Sequence, residues 1–264
     1  MLKAGSRIEA RFKELAAAGK KAFIPYIMSG DPSLNASLRL AGTLEDAGAD
    51  IIELGVPFSD PVADGPLIQA AAERARRAGV NLRKALGLVA AIRKRSDIPI
   101  VLMTYYNPVL KFGEDKFAKQ AVEAGADGVI VPDLPVEEAD LLKEHSYKHG
   151  LDTIFLAAPT SGPERFRLVS NASTGFIYYV SLTGITGAKL AHYEEIEKSV
   201  KRLKKLSGGK AVAVGFGVSN PDEAGRIAKT ADGVIVGSAV VRRAREDSAR
   251  DFSAWLKSMR EAIG

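Results

Sequence analysis

The sequence predicts an α/β protein, a single-domain (β/α)8 TIM barrel with one extra helix at the N-terminus. Three observations carry that expectation. Eight short apolar runs rich in β-branched residues recur along the 264 residues. They are continuous rather than alternating, as strands of a parallel sheet covered on both faces must be. Amphipathic stretches separate them, so strand and helix alternate in the rhythm and size of this architecture. Finally, AGADIIELG (47–55), AGADGVIVPD (124–133) and TADGVIVGS (230–238) repeat one design of helix end, Ala-Asp turn and strand.

In chain order, the N-terminal stretch places Ile8, Phe12 and Leu15 on one helical face. The strands follow as AFIPYIM (22–28), DIIELG (50–55), IPIVLMTY (98–105), GVIVP (128–132), DTIFLA (152–157), FIYYV (176–180), AVAVGF (211–216) and GVIVG (233–237). Helices are expected over 33–48, 67–95 with a break near Gly79, 114–125, 136–149, 163–171, 190–207, 221–230 and 239–262. Asp50, Asp127 and Asp232 fall at strand starts, the end of a barrel that serves stability, and read as turn formers. The residues after the strands, Glu53, Asp133 and Gly237, are where the copies diverge, and those positions line a barrel's mouth. No Pro/Gly/Ser linker interrupts the pattern, so residues 1–264 read as one domain.

Composition narrows the function classes. Hydrophobic residues make up 46% and charged residues 26%, ordinary for a globular chain, and no apolar run nears the roughly 18 residues that span a bilayer. The expectation is no membrane, no export signal and a cytoplasmic location. The absence of cysteine excludes disulfides, a cysteine nucleophile and thiolate metal sites. The net charge of +5 is dispersed. Its densest run, KSVKRLKKLSGGK (198–210), carries Val200, Leu203 and Leu206 at helical spacing, the solvated face of a helix rather than a nucleic-acid site. A basic field still favours an anionic small substrate.

The mouth loops hold the chemistry. SLTGITGA (181–188), GFGVSNPDE (215–223) and GSAVV (237–241) are rich in glycine, which lets backbone N–H groups approach an anion closely. Gly217, Gly237 and the Ser238 hydroxyl are candidate phosphate donors, with Gly187 closing from a lid that also carries Thr183 and Thr186. Singly these glycines would only make tight turns; clustered at one barrel end they point to phosphate. After the second strand comes ELGVPFSDPVADGP (53–66), whose Glu53 shares the parity of Ile51 and so faces the interior if Ile51 does. A carboxylate there has its pKa raised and exchanges protons near neutrality. Pro57, Pro61 and Pro66 stiffen the loop so that a second carboxylate, Asp60 or Asp64, reaches across the mouth; turn formation and helix capping are the competing roles of these two. No metal cluster is evident, and His145, His149 and His192 read as surface residues. Two carboxylates beside a phosphate site suit an isomerisation or an aldol-type cleavage, and the residues alone leave both open.

LGVPFSDPVADGPLIQ, preceded by Glu53, resembles the signature of the tryptophan synthase α subunit family. The resemblance runs end to end through FIPYIMSGDP (23–32), TYYNPVL (104–110), VPDLPVEEA (131–139), FIYYVSLTGITG (176–187), VGFGVSNP (214–221) and VIVGSAVV (234–241). It implies retro-aldol cleavage of indole-3-glycerol phosphate to indole and glyceraldehyde 3-phosphate. It also implies a β subunit partner in an α2β2 heterotetramer, the partner and not this chain holding pyridoxal phosphate. By resemblance Glu53 and Asp64 are the catalytic pair, and Gly187, Gly217, Gly237 and Ser238 bind phosphate. Phe23, Tyr105, Tyr178, Phe216 and Ile235 would wall the indole pocket, and Thr186 would meet Asp64 when the lid closes. Two alternatives remain: a stand-alone lyase that releases indole, and a non-catalytic barrel that activates a partner. Other phosphate-binding barrels fit less well, since an epimerase needs histidines at strand ends and a synthase needs strand lysines, and the predicted strands carry neither.

Overall fold

The computed structural model describes residues 5–180, 189–215 and 217–264, with backbone only at 189–192. Helix α1 (Arg7–Ala17) opens on Ser6, whose hydroxyl accepts from the Glu9 N–H at 3.2 Å. Then come β1 (Ala22–Met28), α2 (Leu34–Asp46), β2 (Ile52–Gly55), α3 (Pro66–Arg77), α4 (Leu82–Arg93), β3 (Ile100–Met103), α5 (Tyr106–Phe112) and α6 (Glu114–Ala124). The second half holds β4 (Gly128–Ile130), α7 (Asp140–His149), β5 (Asp152–Ile154), β6 (Leu156–Ala157), α8 (Pro163–Ala172), β7 (Phe176–Val180) and α9 (Lys189–Leu206). The chain ends through β8 (Ala211–Gly215), α10 (Pro221–Ala228), β9 (Gly233–Val236), α11 (Ser238–Glu246) and α12 (Ala249–Ile263).

Every strand pair is parallel, in the order β5-β4-β3-β2-β1-β9-β8-β7-β6. The two ends of that order, β5 and β6, are halves of the single expected strand over 152–157, bent at Phe155. The first half pairs with β4 and the second with β7, so the ring closes. At the bend the Phe155 N–H leaves the ladder for the Ser173 Oγ at 3.2 Å, while its carbonyl accepts from the Tyr178 N–H at 3.1 Å. Eight staves therefore appear as nine strands.

Two apolar layers form because each strand buries both faces. Ile24, Ile51, Val101, Ile130, Ile154, Phe176 and Ala213 fill the barrel, and Phe23, Ile27, Ile52, Leu54, Ile100 and Leu102 pack outward under the helices. Helix α1 plugs the lower end of the interior, with Ile8, Phe12 and Leu15 in the inner cluster and the Phe12 ring 5.7 Å from that of Phe176.

Asp50, Asp127 and Asp232 do more than form turns. Each accepts a backbone N–H from the preceding stave: Phe23 at 2.8 Å, Ile100 at 2.8 Å and Val212 at 3.0 Å. Each is also met by cations: Arg260 and Arg11 at Asp50, Arg93 and Arg7 at Asp127, Lys204 at Asp232. The repeated motif thus staples neighbouring strands at their starts.

The break expected near Gly79 is present, and two other helical assignments need correction. Residues 67–95 form two helices, parted where Gly79 takes a φ of +73°. Residues 239–262 also divide, because Ser248 caps a new helix by accepting from the Asp251 N–H at 3.2 Å. The stretch 106–112, left between the expected strand 98–105 and the expected helix 114–125, is α5, whose first N–H, that of Tyr106, donates to Asp133 Oδ1 at 2.9 Å. Nor are His145 and His149 simple surface residues. Both are partly covered and face Asp115, at 3.3 Å and 2.9 Å. The His192 side chain lies outside the described residues.

Candidate active site

A cavity of about 480 Å³ opens at the C-terminal ends of the strands. Its walls come from Tyr26 on β1, Glu53 on β2, Met103 on β3, Tyr178 on β7, Gly215 on β8 and Ile235 on β9. Ala63, Asp64 and Gly65 reach in from the loop before α3, and Gly217, Ser219, Gly237, Ser238 and Arg242 close the opposite rim.

Ile51 belongs to the inner cluster, and Glu53, two residues on, points the same way. The Glu53 side chain is 1% exposed, and its Oε2 has no hydrogen-bond partner among the described residues. Removal from water, with the nearby Asp64 charge adding to it, raises its pKa from 4.5 to about 8. At neutral pH this glutamate therefore holds a proton that it can give and take back.

The proline-braced loop presents Asp64 rather than Asp60. Asp60 is exposed and bonded to its neighbour Ser59, away from the cavity. The Asp64 N–H donates to the Pro61 carbonyl at 3.0 Å, and the Asp64 carbonyl accepts from Gln69 Nε2 at 2.8 Å. Helix α3 takes Gly65 as its N-cap with no side-chain cap, so the Asp64 carboxylate is not spent on capping. Desolvation raises its pKa to about 6, against the opposing pull of a hydrogen bond from Tyr105. The loop leans on Tyr105 in two further ways: the Ala63 N–H donates to the Tyr105 hydroxyl at 3.0 Å, and the Phe58 ring stacks on Tyr105 at 5.3 Å. Tyr105 thus stands behind Asp64 and is not part of the cavity wall, where Met103 stands instead.

Opposite the carboxylates, α11 starts at Ser238 after Gly237, which supplies no side-chain cap. The first helical bond inside this turn runs from the Val241 N–H to the Gly237 carbonyl at 3.1 Å. The N–H groups of Ser238, Ala239 and Val240 accordingly have no acceptor within the helix, and they carry the positive end of its dipole. Gly217, at φ +30°, brings a second stretch of backbone to the same rim. Oxygens of a phosphate match these donors.

Several expected residues are brought together here: Glu53, Asp64, Tyr178, Ile235, Gly217, Gly237 and Ser238 all line the cavity. Phe23 does not. It is fully buried in the outer layer, because on β1 the inward residues are Ala22, Ile24, Tyr26 and Met28. Tyr26 takes the wall position instead, and parity counted from Ile24 would have found it. Arg242 was also missed, although its place four residues after Ser238 sets it on the same helix face. Thr186, Gly187 and Phe216 lie outside the described residues. Among the described residues no group of three or more His, Asp or Glu side chains is arranged to hold a metal ion.

Known proteins resemble this chain along nearly its whole length. The profile of the family described as "Tryptophan synthase alpha chain" matches residues 12–262. A tryptophan synthase alpha chain of Geotalea daltonii is 48% identical over 97% of each chain, and that of Geobacter sulfurreducens is 47% identical over 98% of this chain and 99% of its own. Among solved structures, tryptophan synthase subunit alpha of Legionella pneumophila superposes with a TM-score of 0.90 at 41% identity, covering 98% of this chain and 99% of that one. A chain of the M. tuberculosis tryptophan synthase gives 0.90 at 39% identity with the same coverage.

Proposed function

The chain belongs to the tryptophan synthase alpha chain family, and on that premise we propose that it cleaves indole-3-glycerol phosphate to indole and glyceraldehyde 3-phosphate. The observation that carries the reading is Glu53, buried, with one oxygen unpartnered among the described residues and its pKa raised to about 8, in the same cavity as Asp64. Indole C3 is a poor leaving carbon until it is protonated. Glu53 gives that proton, the bond from C3 to the hydroxyl-bearing carbon breaks, and its electron pair returns to the ring. The hydroxyl loses its proton to Glu53 as its C–O bond becomes the aldehyde carbonyl. One proton is given and one taken, so Glu53 ends as it began.

Asp64, ionised, accepts a hydrogen bond from the indole N–H and stabilises the positive charge that develops on the protonated ring. Tyr105 holds the Asp64 loop in place. The phosphate sits on the N–H groups at the start of α11, beside the Ser238 hydroxyl and Gly217. Gly187 and Thr186 of the lid, and Phe216 at the ring, belong to the same reading on the resemblance alone.

The partner is a tryptophan synthase β subunit in an α2β2 assembly, with pyridoxal phosphate held by that subunit. The loop beside Asp64 offers it a surface. Val56 and Pro57 are buried, so the exposed part of the arm is Ser59–Ala63, tipped by Val62 at 81% exposure. We take residues 1–264 as one domain and the cytoplasm as its location; the cysteine-free composition fits, and no described helix is long and apolar enough to cross a membrane. Steady-state release of indole from indole-3-glycerol phosphate, with and without a β subunit, tests the function. Cleavage by the isolated chain that rises with the partner is expected; no indole in either case refutes it.

A further inference from the structure

Tyr26 lines the cavity beside Glu53, and no part of the mechanism above uses it. Its Cα pairs with that of Glu53 across β1 and β2, so the two side chains rise side by side from adjacent staves. The ring then crosses to β2 above Glu53. A Cβ built on Gly55 would stand 2.0 Å from the Tyr26 hydroxyl oxygen, so that hydroxyl occupies the space of the next inward side chain on β2. Only glycine at 55 leaves room for it. Tyr178 uses Gly215 in the same way from β7, its hydroxyl 2.4 Å from where a Cβ would be. Two phenols are thus let into the cavity wall by two glycines, and Tyr26 is the one paired with Glu53.

The hydroxyl is also nearly unemployed. Its one hydrogen-bond partner among the described residues is the Met28 thioether at 4.0 Å, a weak acceptor. A buried phenol in that condition loses much of what water would give it, unless a ligand supplies the acceptor. Under the proposed function the substrate hydroxyl is deprotonated by Glu53, and Tyr26 is the neighbour of Glu53 on the adjacent strand.

We propose that Tyr26 is a further catalytic residue, its hydroxyl donating a hydrogen bond to the oxygen of the substrate hydroxyl that Glu53 deprotonates. The proposal rests on Glu53 being the proton shuttle. Tyr26 keeps its own proton throughout: the substrate O–H bond breaks toward Glu53, the C–O bond becomes C=O, and the phenol steadies the negative charge that builds on that oxygen between the two. The groups facing the phenol favour this role. Burial first, then Asp64, Glu53, Tyr105 and Tyr178, push its pKa well above the ordinary 10.0, so it remains a neutral donor wherever the enzyme works.

Tyr26→Phe removes one oxygen and leaves the ring in the Gly55 notch. The expected result is a kcat for indole-3-glycerol phosphate lowered by about tenfold to hundredfold, in the range of a lost donor to a developing oxyanion. Affinity for indole-3-propanol phosphate, which lacks the hydroxyl in question, should stay within about twofold. A Tyr26→Phe enzyme with wild-type kcat overturns the proposal. So does a loss of analogue affinity as large as the loss of kcat, since the oxygen would then act through packing. Glu53→Gln run in parallel separates the two levels. If Glu53→Gln keeps wild-type kcat, the shuttle reading fails. If it collapses while Tyr26→Phe does not, Tyr26 alone has been misassigned.

Discussion

The two ends of the barrel place carboxylates at strand termini in opposite circumstances. At the lower end Asp50, Asp127 and Asp232 each accept a backbone N–H and face at least one Arg or Lys. At the mouth Glu53 is as buried as Asp50 and Asp127, yet among the described residues no cation pairs with it and one oxygen has no partner. Burial acts on both ends; it raises the pKa of Asp50 as well, but there the Phe23 N–H, Arg260 and Arg11 pull it back. What separates a structural carboxylate from a reactive one in this barrel is its partners, not its depth. A satisfied carboxylate holds strands together, and a carboxyl group left without partners is free to exchange a proton with substrate.

The largest test of this contrast is Glu53→Gln. It should lower kcat by on the order of 10²–10⁴ while leaving the melting temperature intact or higher, because a neutral amide suits the site better than a charge. A steady-state assay with a thermal melt checks both, and a mutant that loses stability along with activity would place Glu53 with the structural set.

Asp127→Ala should do the reverse. Losing the acceptor for Ile100 N–H and the partner of the mostly covered Arg93 is expected to cost about 3 kcal/mol of stability, read from urea unfolding, with kcat of the folded fraction near wild type. A kcat loss larger than the unfolded fraction explains would mean that the lower end takes part in the chemistry.

Ser238→Asp sets a negative charge against the phosphate. KM for indole-3-glycerol phosphate should rise by roughly tenfold or more, with little change in the affinity for free indole. Equal weakening of both ligands would make the glycine rim structural.

The smallest effect is a slope. The folded-state pKa of Glu53 lies above its ordinary 4.5, at about 8, so its stabilising contribution is complete below pH 4.5 and is lost as pH rises through 8. Asp64, raised to about 6 from 3.8, acts in the same sense over a lower window. Melting temperatures of wild type and Glu53→Gln measured from pH 4.5 to 8.5 should therefore diverge in favour of the mutant as pH rises. Parallel curves would show that Glu53 is ionised in the folded protein across that range.

By itself the sequence determined the order of strands and helices, the end of the barrel that carries chemistry, the inward parity of Glu53 and the glycines of the rim. These are local properties. An apolar run marks a strand, i and i+2 share a face, and a glycine is a glycine wherever the chain goes. The tertiary structure decided what depends on neighbours distant in the chain. Phe23 and Tyr26 lie in a strand buried on both faces, where parity ties Tyr26 to Ile24 but hydrophobicity carries no inside or outside, so pairing with β2 and β9 shows which set faces the cavity. Asp60 and Asp64 are alike in the loop until Tyr105, 42 residues from Ala63, fixes which is held at the site. Phe155 bends its stave because Ser173 and Tyr178 compete for its backbone, a choice written into no segment alone. The reactivity of Glu53 was decided there too, since a carboxylate's pKa is set by the charges and donors that the fold brings to it or withholds.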